Sequence, residues 1–386
     1  MSAGKMRFFF QPMGMPGFPK LFLIVLMVLM GAISIFIHPG NLDASDFMLI
    51  AWEPGQELLK TGSVYANYPY PLWTVVVMLP LVIWTPKTAM LLLFICNMLM
   101  LAASLTLFMM VFKWELTPVL LALSISLSGF FLPVLSSMWL GQLTIFSLFI
   151  LALTLYCYVK EQDGWLGIVL GLSFIKPQIM LLLAGFLLLW ALSQKKWKVL
   201  LSFGGVMFAL VLISIPFITS PAQIIGGGIQ SHLADYILFT STLWGVTLTL
   251  GWHWFVPLVI SIALLLWVGW LWLPLFRGHM PPANRMIFIF SAAVIVNLIA
   301  IPYSWMHNLA LLLLPAGYSL SLILKMKERA RFVWAAMLFI VMHPFMIGLF
   351  LLFAIPDNTQ AYQIIPALFL LLMMIFLERR SYSMGG

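Results

Sequence analysis

Apolar runs of about twenty residues follow one another along most of this chain, and several of them, residues 88–112 and 255–276 included, contain no Asp, Glu, Lys or Arg. A run of that length fits a bilayer, because a helix rises ~1.5 Å per residue and ~20 residues cross its ~30 Å hydrocarbon core. Lipid offers no water to a backbone N–H or C=O, so a spanning segment must be a helix or part of a closed barrel. Barrel strands read as alternating segments of roughly ten residues. These runs are continuous, which predicts an all-α polytopic membrane protein. Composition agrees: 8% of the 386 residues are charged, against roughly 25% in soluble domains, too few to cover a water-facing surface.

The net charge of +8 does not point to nucleic acid, since the 19 Lys and Arg lie in short clusters between apolar runs, the usual marking of cytoplasmic loops. Cys96 and Cys157 sit inside apolar runs and read as small buried hydrophobes, without a disulfide framework or metal spacing. Lys5, Arg7 and Lys20 flank a first span at residues 21–37 with no small-residue cleavage site after it. That flank predicts a cytoplasmic N-terminus and no cleaved signal.

Further spans are expected near residues 72–84, 88–112, 117–135, 143–159 and 165–192, then one ending near 217. The last five are expected near 255–276, 286–301, 308–324, 332–353 and 362–377. This gives about twelve crossings in a single membrane domain, 1–386, with both termini cytoplasmic and no internal repeat. Residues 38–71 form the longest polar stretch and carry Asp43, Asp46, Glu53 and Glu57 against Lys60. A loop of that length between packed helices points to function or to local helices of its own, and residues 46–61 are expected to form short surface helices. A second extracytoplasmic segment is expected at 219–254, with Gly226-Gly227-Gly228, His232 and Asp235. The clusters at 195–198, 277–285, 325–331 and 379–380 then fall on the cytoplasmic side, while Lys113 and Lys160 fall outside; a hairpin around Lys176 would change the count.

Several residues can carry chemistry. Asp46 at an outer boundary can act as a general base on a hydroxyl, or, with Ser45, cap a helix start. Tyr68-Pro69-Tyr70-Pro71 can wall a sugar pocket or anchor a helix at the interface. Lys176 lies within an apolar run, where a lysine costs roughly 3 kcal/mol on insertion scales and needs a partner; an anionic ligand such as a phosphate is one candidate. Proline at 177 removes a backbone donor beside it. Gly141-Gln142 opens a span, and His307, in the polar cluster after Pro302, can donate to a phosphate or assist proton transfer. Walker, dinucleotide, His-x-x-x-His and Ser-His-Asp patterns are missing from the sequence. Asp43 and Asp46, three apart, can share an ion.

Taken in order, five strings resemble glycosyltransferase family 87, integral membrane enzymes of the GT-C type. They are Ser45-Asp46-Phe47; Val64-Tyr65 with Tyr68-Pro69-Tyr70-Pro71; Gly141-Gln142; Ile175-Lys176-Pro177; and Tyr303-Ser304-Trp305-Met306-His307. The resemblance implies a GT-C fold, a functional first extracytoplasmic loop and an inverting transferase. The donor would be a polyprenyl-phosphate sugar, commonly of mannose, the acceptor a glycolipid or glycan, and the site would face outward from the plasma membrane (the inner membrane of a bacterium). It implies Asp46 as general base, Lys176 and His307 at the donor phosphate, and no metal or other cofactor. Tyr68, Tyr70, Gln142 and Trp305 are the expected pocket residues. The chain departs from the family pattern at Met306, where a polar or acidic residue is common, and at Tyr70, which displaces a second proline. A transporter or lipid-linked-sugar flippase is the rival expectation, and a non-catalytic assembly subunit a third.

Overall fold

The computed structural model describes residues 45–64, 68–114, 131–219, 236–279, 283–349, 351–352 and 361–383. The first span at 21–37, Asp43, Tyr65, most of the span expected at 117–135, the triple glycine, His232 and Asp235 lie outside them. Among the described residues every regular element is helical, and six helices are long and apolar enough to cross a membrane: Pro86–Phe112, Trp197–Phe217, Phe255–Phe276, Met306–Ile323, Glu328–Leu349 and Ala361–Arg380. The chain is thus a multi-pass membrane protein.

The acidic loop is helical from Asp46 on: a π-helical turn at Met48–Trp52 runs into α1 (Glu53–Thr61), which Gly62 ends at φ 76. Helix α2 (Leu72–Val82) returns beneath it, with the Gln56 amide donating to Val82 O at 2.9 Å. Then come α3 (Pro86–Phe112), α4 (Leu132–Leu140) and α5 (Thr144–Val159).

Residues 165–192 do not make one kinked span. Helix α6 (Asp163–Leu172) tightens into a 3-10 turn at Ser173–Ile175, and α7 (Pro177–Ser193) starts after Lys176, whose φ of −132 and ψ of 74 lie outside the helical region. A residue before proline avoids the helical basin, so the break belongs to the sequence. The far ends of α6 and α7 meet, because Lys196, in the turn after α7, pairs with Asp163 at 3.1 Å. The two helices form a hairpin with Lys176 at its tip. Each arm rises only about 20–25 Å, less than a full ~30 Å crossing.

Without a hydrophobic drive between helices in lipid, close backbone approach holds them together. Gly167 and Gly171, four apart on α6, face α8 (Trp197–Ser214): a Cβ on Gly167 would lie 2.2 Å from Val199 O, and one on Gly171 2.6 Å from Val206 Cβ. The broken helix leaves carbonyls that need donors. Trp73 Nε1 donates to Phe174 O (2.8 Å) and Thr74 Oγ1 to Ile175 O (2.7 Å). From α11 (Ala283–Ala300), Asn297 Nδ2 donates to Gln178 O (3.0 Å) and Ile179 O (2.7 Å), while its Oδ1 accepts from Leu182 N (2.9 Å). Asn297→Leu removes three hydrogen bonds at about 0.5–1.5 kcal/mol each; the purified variant is expected to melt earlier in detergent and to lose the ordered hairpin tip, read as faster amide exchange at 174–182.

The hairpin sets both ends of the bundle. At one end lie Lys160, Lys195, Lys196 and Lys198. Gln194 there donates to Leu275 O and Phe276 O, the last carbonyls of α10 (Phe255–Phe276), bringing Arg277 to the same place. Arg285 lies 3.6 Å from Glu378 of α14 (Ile365–Ser383), and Tyr318 of α12 (Leu313–Ile323) also donates to Glu378. Phe112 and Trp114 at the end of α3 flank Gly317, so Lys113 joins this end. Helix α13 (Glu328–Ile340) starts there with Lys325, Lys327, Arg329 and Arg331. Lys113 and Lys160, expected on the outer side, therefore share an end with the other clusters, because a hairpin replaces a crossing.

Candidate functional site

At the other end, Asp46 and Lys176 are joined by one side chain. Gln142 Nε2 donates to Asp46 Oδ2 at 2.5 Å, and Gln142 Oε1 accepts from Lys176 Nζ at 2.7 Å. Lys176 Nζ also donates to Asn308 Oδ1 (3.1 Å) and Thr144 Oγ1 (3.2 Å), and the Thr144 hydroxyl donates to Asn308 Oδ1 at 3.1 Å. An ammonium has three N–H donors. All three are used, on a side chain only 2% exposed. The lysine that the sequence marks as needing a partner finds three neutral oxygens and, one amide further, a carboxylate.

Each element delivers its residue for a local reason. Gly141 ends α4 at φ +64, and a Cβ there would fall 2.6 Å from Phe47 Cβ and 2.8 Å from Met90 Sδ. The glycine both turns the chain and admits the Asp46 segment to contact, which is what Gly141-Gln142 is for. Gln142 N then bonds Ser137 O at 2.9 Å, closing the helix end. Gly141→Ala is expected to push the Phe47 backbone away and part Asp46 from Gln142. Any reaction that Asp46 serves, measured on protein that still purifies as a monodisperse species, should slow at least tenfold, since small misplacements in a reacting site cost that much or more.

The crossings expected at 72–84, 88–112 and 117–135 put Gln142 on the inner side, away from residues 38–71. Its bond to Asp46 instead puts both residues at one end of the bundle. Helix α2, with 11 residues and a length of ~16 Å, is too short to cross, and both of its ends stay here: Thr74 bonds Ile175 O and the Gln56 amide bonds Val82 O. His307, 6% exposed, is the second residue of the 3-10 turn Met306–Leu312 and directly precedes Asn308, whose side chain bonds Lys176; Ser137 Oγ donates to the His307 backbone carbonyl at 3.2 Å. Asp46, Gln142, Lys176 and His307 thus converge from four separate segments.

Aromatic rings flank this cluster. Trp305 lies 6.1 Å from Tyr303 and 5.9 Å from Tyr236, centroid to centroid. The segment carrying Tyr236 is tied to the 300–304 stretch by Ser241 N to Ser304 O (2.7 Å) and, from α9 (Leu243–Thr249), by Trp244 Nε1 to Ala300 O (3.0 Å). Burial pushes the Tyr303 phenol up to about 12; a hydrogen bond from Trp305 opposes this, and the charges of Asp46 and Tyr236 add to it. Tyr303 therefore stays a neutral hydroxyl beside Asp46 at ordinary pH. Tyr68 and Tyr70 go elsewhere. They are buried with Leu58, Val64 and Leu72 in a separate apolar cluster, their rings 6.0 Å apart, and the Tyr68 hydroxyl donates to Ile50 O at 2.8 Å. They brace the acidic loop from behind.

Sequence reading missed Thr144, Asn308, Tyr236 and Tyr303 as members of the site. Asn308 adjoins His307, and an amide at the mouth of an apolar run was the available signal; Tyr236 had none. Among the described residues no group of three His, Cys, Asp or Glu side chains is arranged to hold a metal ion.

The family model for glycosyltransferase family 87 matches residues 68–302, more than half of the chain. Neither a curated protein nor a solved structure matches it.

Proposed function

Because this chain belongs to glycosyltransferase family 87, we propose that it moves a sugar, mannose or another hexose or pentose, from a polyprenyl-phosphate donor to a glycolipid or glycan hydroxyl at the extracytoplasmic face. The observation that carries the reading is the Asp46–Gln142–Lys176 relay, in which one amide holds a carboxylate against a buried cation. In the proposed reaction Asp46 takes the proton of the acceptor hydroxyl. The hydroxyl oxygen attacks the anomeric carbon from the face opposite the phosphate, and the C–O bond to phosphate breaks, inverting that centre. The electron pair leaves on the lipid phosphate. Positive charge near that oxygen lowers the barrier.

His307 is the group we assign to touch the phosphate. Lys176 contributes its field from behind Gln142, since its three donors already serve protein oxygens. Trp305, Tyr303 and Tyr236 offer ring faces and hydroxyls to a sugar beside the base. The outward orientation is supported by charge: the Lys and Arg clusters of the described residues gather at the end opposite Asp46, and positive charge marks the cytoplasmic side.

The test is to incubate the purified protein with a panel of polyprenyl-phosphate sugars and glycolipid acceptors and to follow release of prenyl phosphate. One donor is expected to be consumed with an inverted glycoside formed. Solute uptake by proteoliposomes with no sugar transferred to any acceptor would overturn the reading in favour of a transporter.

A further inference from the structure

At the basic end, on the flank of the bundle, a cavity of about 330 Å³ opens between the last turns of α10 and the first turns of α11. Arg277, His279 and Arg285 form its polar wall; Trp270, Leu273 and Ile289 line its apolar side. Gly278, at φ +81, stops α10 and lets the His279 N–H bond back to Pro274 O at 2.9 Å, so His279 turns in beside Arg277. The Gln194 amide covers the carbonyls of Leu275 and Phe276, which takes helix-end acceptors out of competition. Arg285 is anchored 4.8 Å over the Phe288 ring and 3.6 Å from Glu378, and a guanidinium carries five N–H donors, enough to keep some for another partner. Among the described residues no carboxylate lines the cavity.

The apolar side continues onto the surface that meets lipid. Trp270 is 64% and Leu273 41% exposed, on a helix whose apolar window is only 28% buried. A small anion would use the polar wall alone. A phospholipid uses both, with its phosphate at the arginines and its first acyl carbons along Trp270 and Leu273. We propose that this cavity binds the phosphodiester headgroup of an anionic phospholipid in the leaflet opposite the Asp46 site. Basic pockets between spanning helices suit that chemistry, by charge-assisted, bidentate bonds from arginine. The proposal does not depend on the transferase reading.

The test uses the full-length protein in detergent, with phosphatidylglycerol, phosphatidylcholine or inorganic phosphate added, followed by native mass spectrometry and thermal melts. The wild type is expected to retain phosphatidylglycerol and to melt later with it, and to do neither with phosphatidylcholine. Arg277→Ala combined with His279→Ala removes two exposed cavity side chains and should weaken phosphatidylglycerol binding by about tenfold. Lys325→Ala with Lys327→Ala, at the same end but outside the cavity, should not. Equal retention by wild type and the cavity variant would overturn the proposal, as would an equal loss in the control variant. So would the full stabilisation with inorganic phosphate alone, which would make this a free-anion site.

Discussion

Asp46→Asn is expected to lower sugar transfer by a factor of roughly 10²–10⁴, the range a positioned general base contributes, with the fold and donor binding kept. Asparagine has the shape of aspartate, and its side-chain oxygen still accepts from Gln142 Nε2. Nothing packed around Phe47 and Met90 has to move. What disappears is the basicity, so the loss should fall on kcat, with little change in the donor concentration needed for half-maximal rate. The measurement is the initial rate of prenyl-phosphate release, run beside a thermal melt and a donor-binding titration. A wild-type rate removes Asp46 from the chemistry. A variant that neither folds nor binds donor would show Asp46 to be structural.

Lys176→Met should damage both activity and stability. The ammonium satisfies Gln142 Oε1, Thr144 Oγ1 and Asn308 Oδ1 in a pocket almost closed to solvent. A methionine of similar length leaves these oxygens without their shared donor. At about 1–3 kcal/mol for each unsatisfied buried group, the variant should melt well below wild type. Gln142, freed from the lysine, can turn its amide, so Asp46 loses a fixed donor along with the nearby positive charge. Transfer is expected to fall by about 10²–10³, the cost of removing one electrostatic contributor to a transition state. Lys176→Arg should not rescue it. A planar guanidinium cannot meet three oxygens converging at 2.7–3.2 Å on one point charge. Full activity in the arginine variant would contradict this geometry.

Much of the site was legible because membrane burial makes polar residues conspicuous. Lys176 inside an apolar run demanded partners, and Pro177 dictated a backbone break at that point. The partners themselves were not legible. Gln142 and Asn308 are 34 and 132 residues from Lys176, and Asp46 is 96 from Gln142; no local pattern encodes pairing at such separations. The hairpin escaped for a different reason. Hydropathy over residues 165–192 fits one long span as well as two short arms. The discriminating signal was charge, since Lys160 before the segment and Lys195, Lys196 and Lys198 after it are all basic, and positive flanks at both ends place both on one side. Tyr68 and Tyr70 read equally as pocket wall or anchor. Only packing separates these, and it puts both rings in the apolar cluster behind α1.

The claim on which the mechanism depends is that the lipid phosphate sits beside His307 with Asp46 on the far side of the anomeric carbon. A structure of the protein bound to a polyprenyl-phosphate sugar measures this directly. The phosphate is expected within hydrogen-bond reach of the His307 ring, with the Asp46 carboxylate facing the opposite face of the sugar and Gln142 still bridging to Lys176. A phosphate bound at the basic end of the bundle, or a sugar out of reach of Asp46, would contradict it.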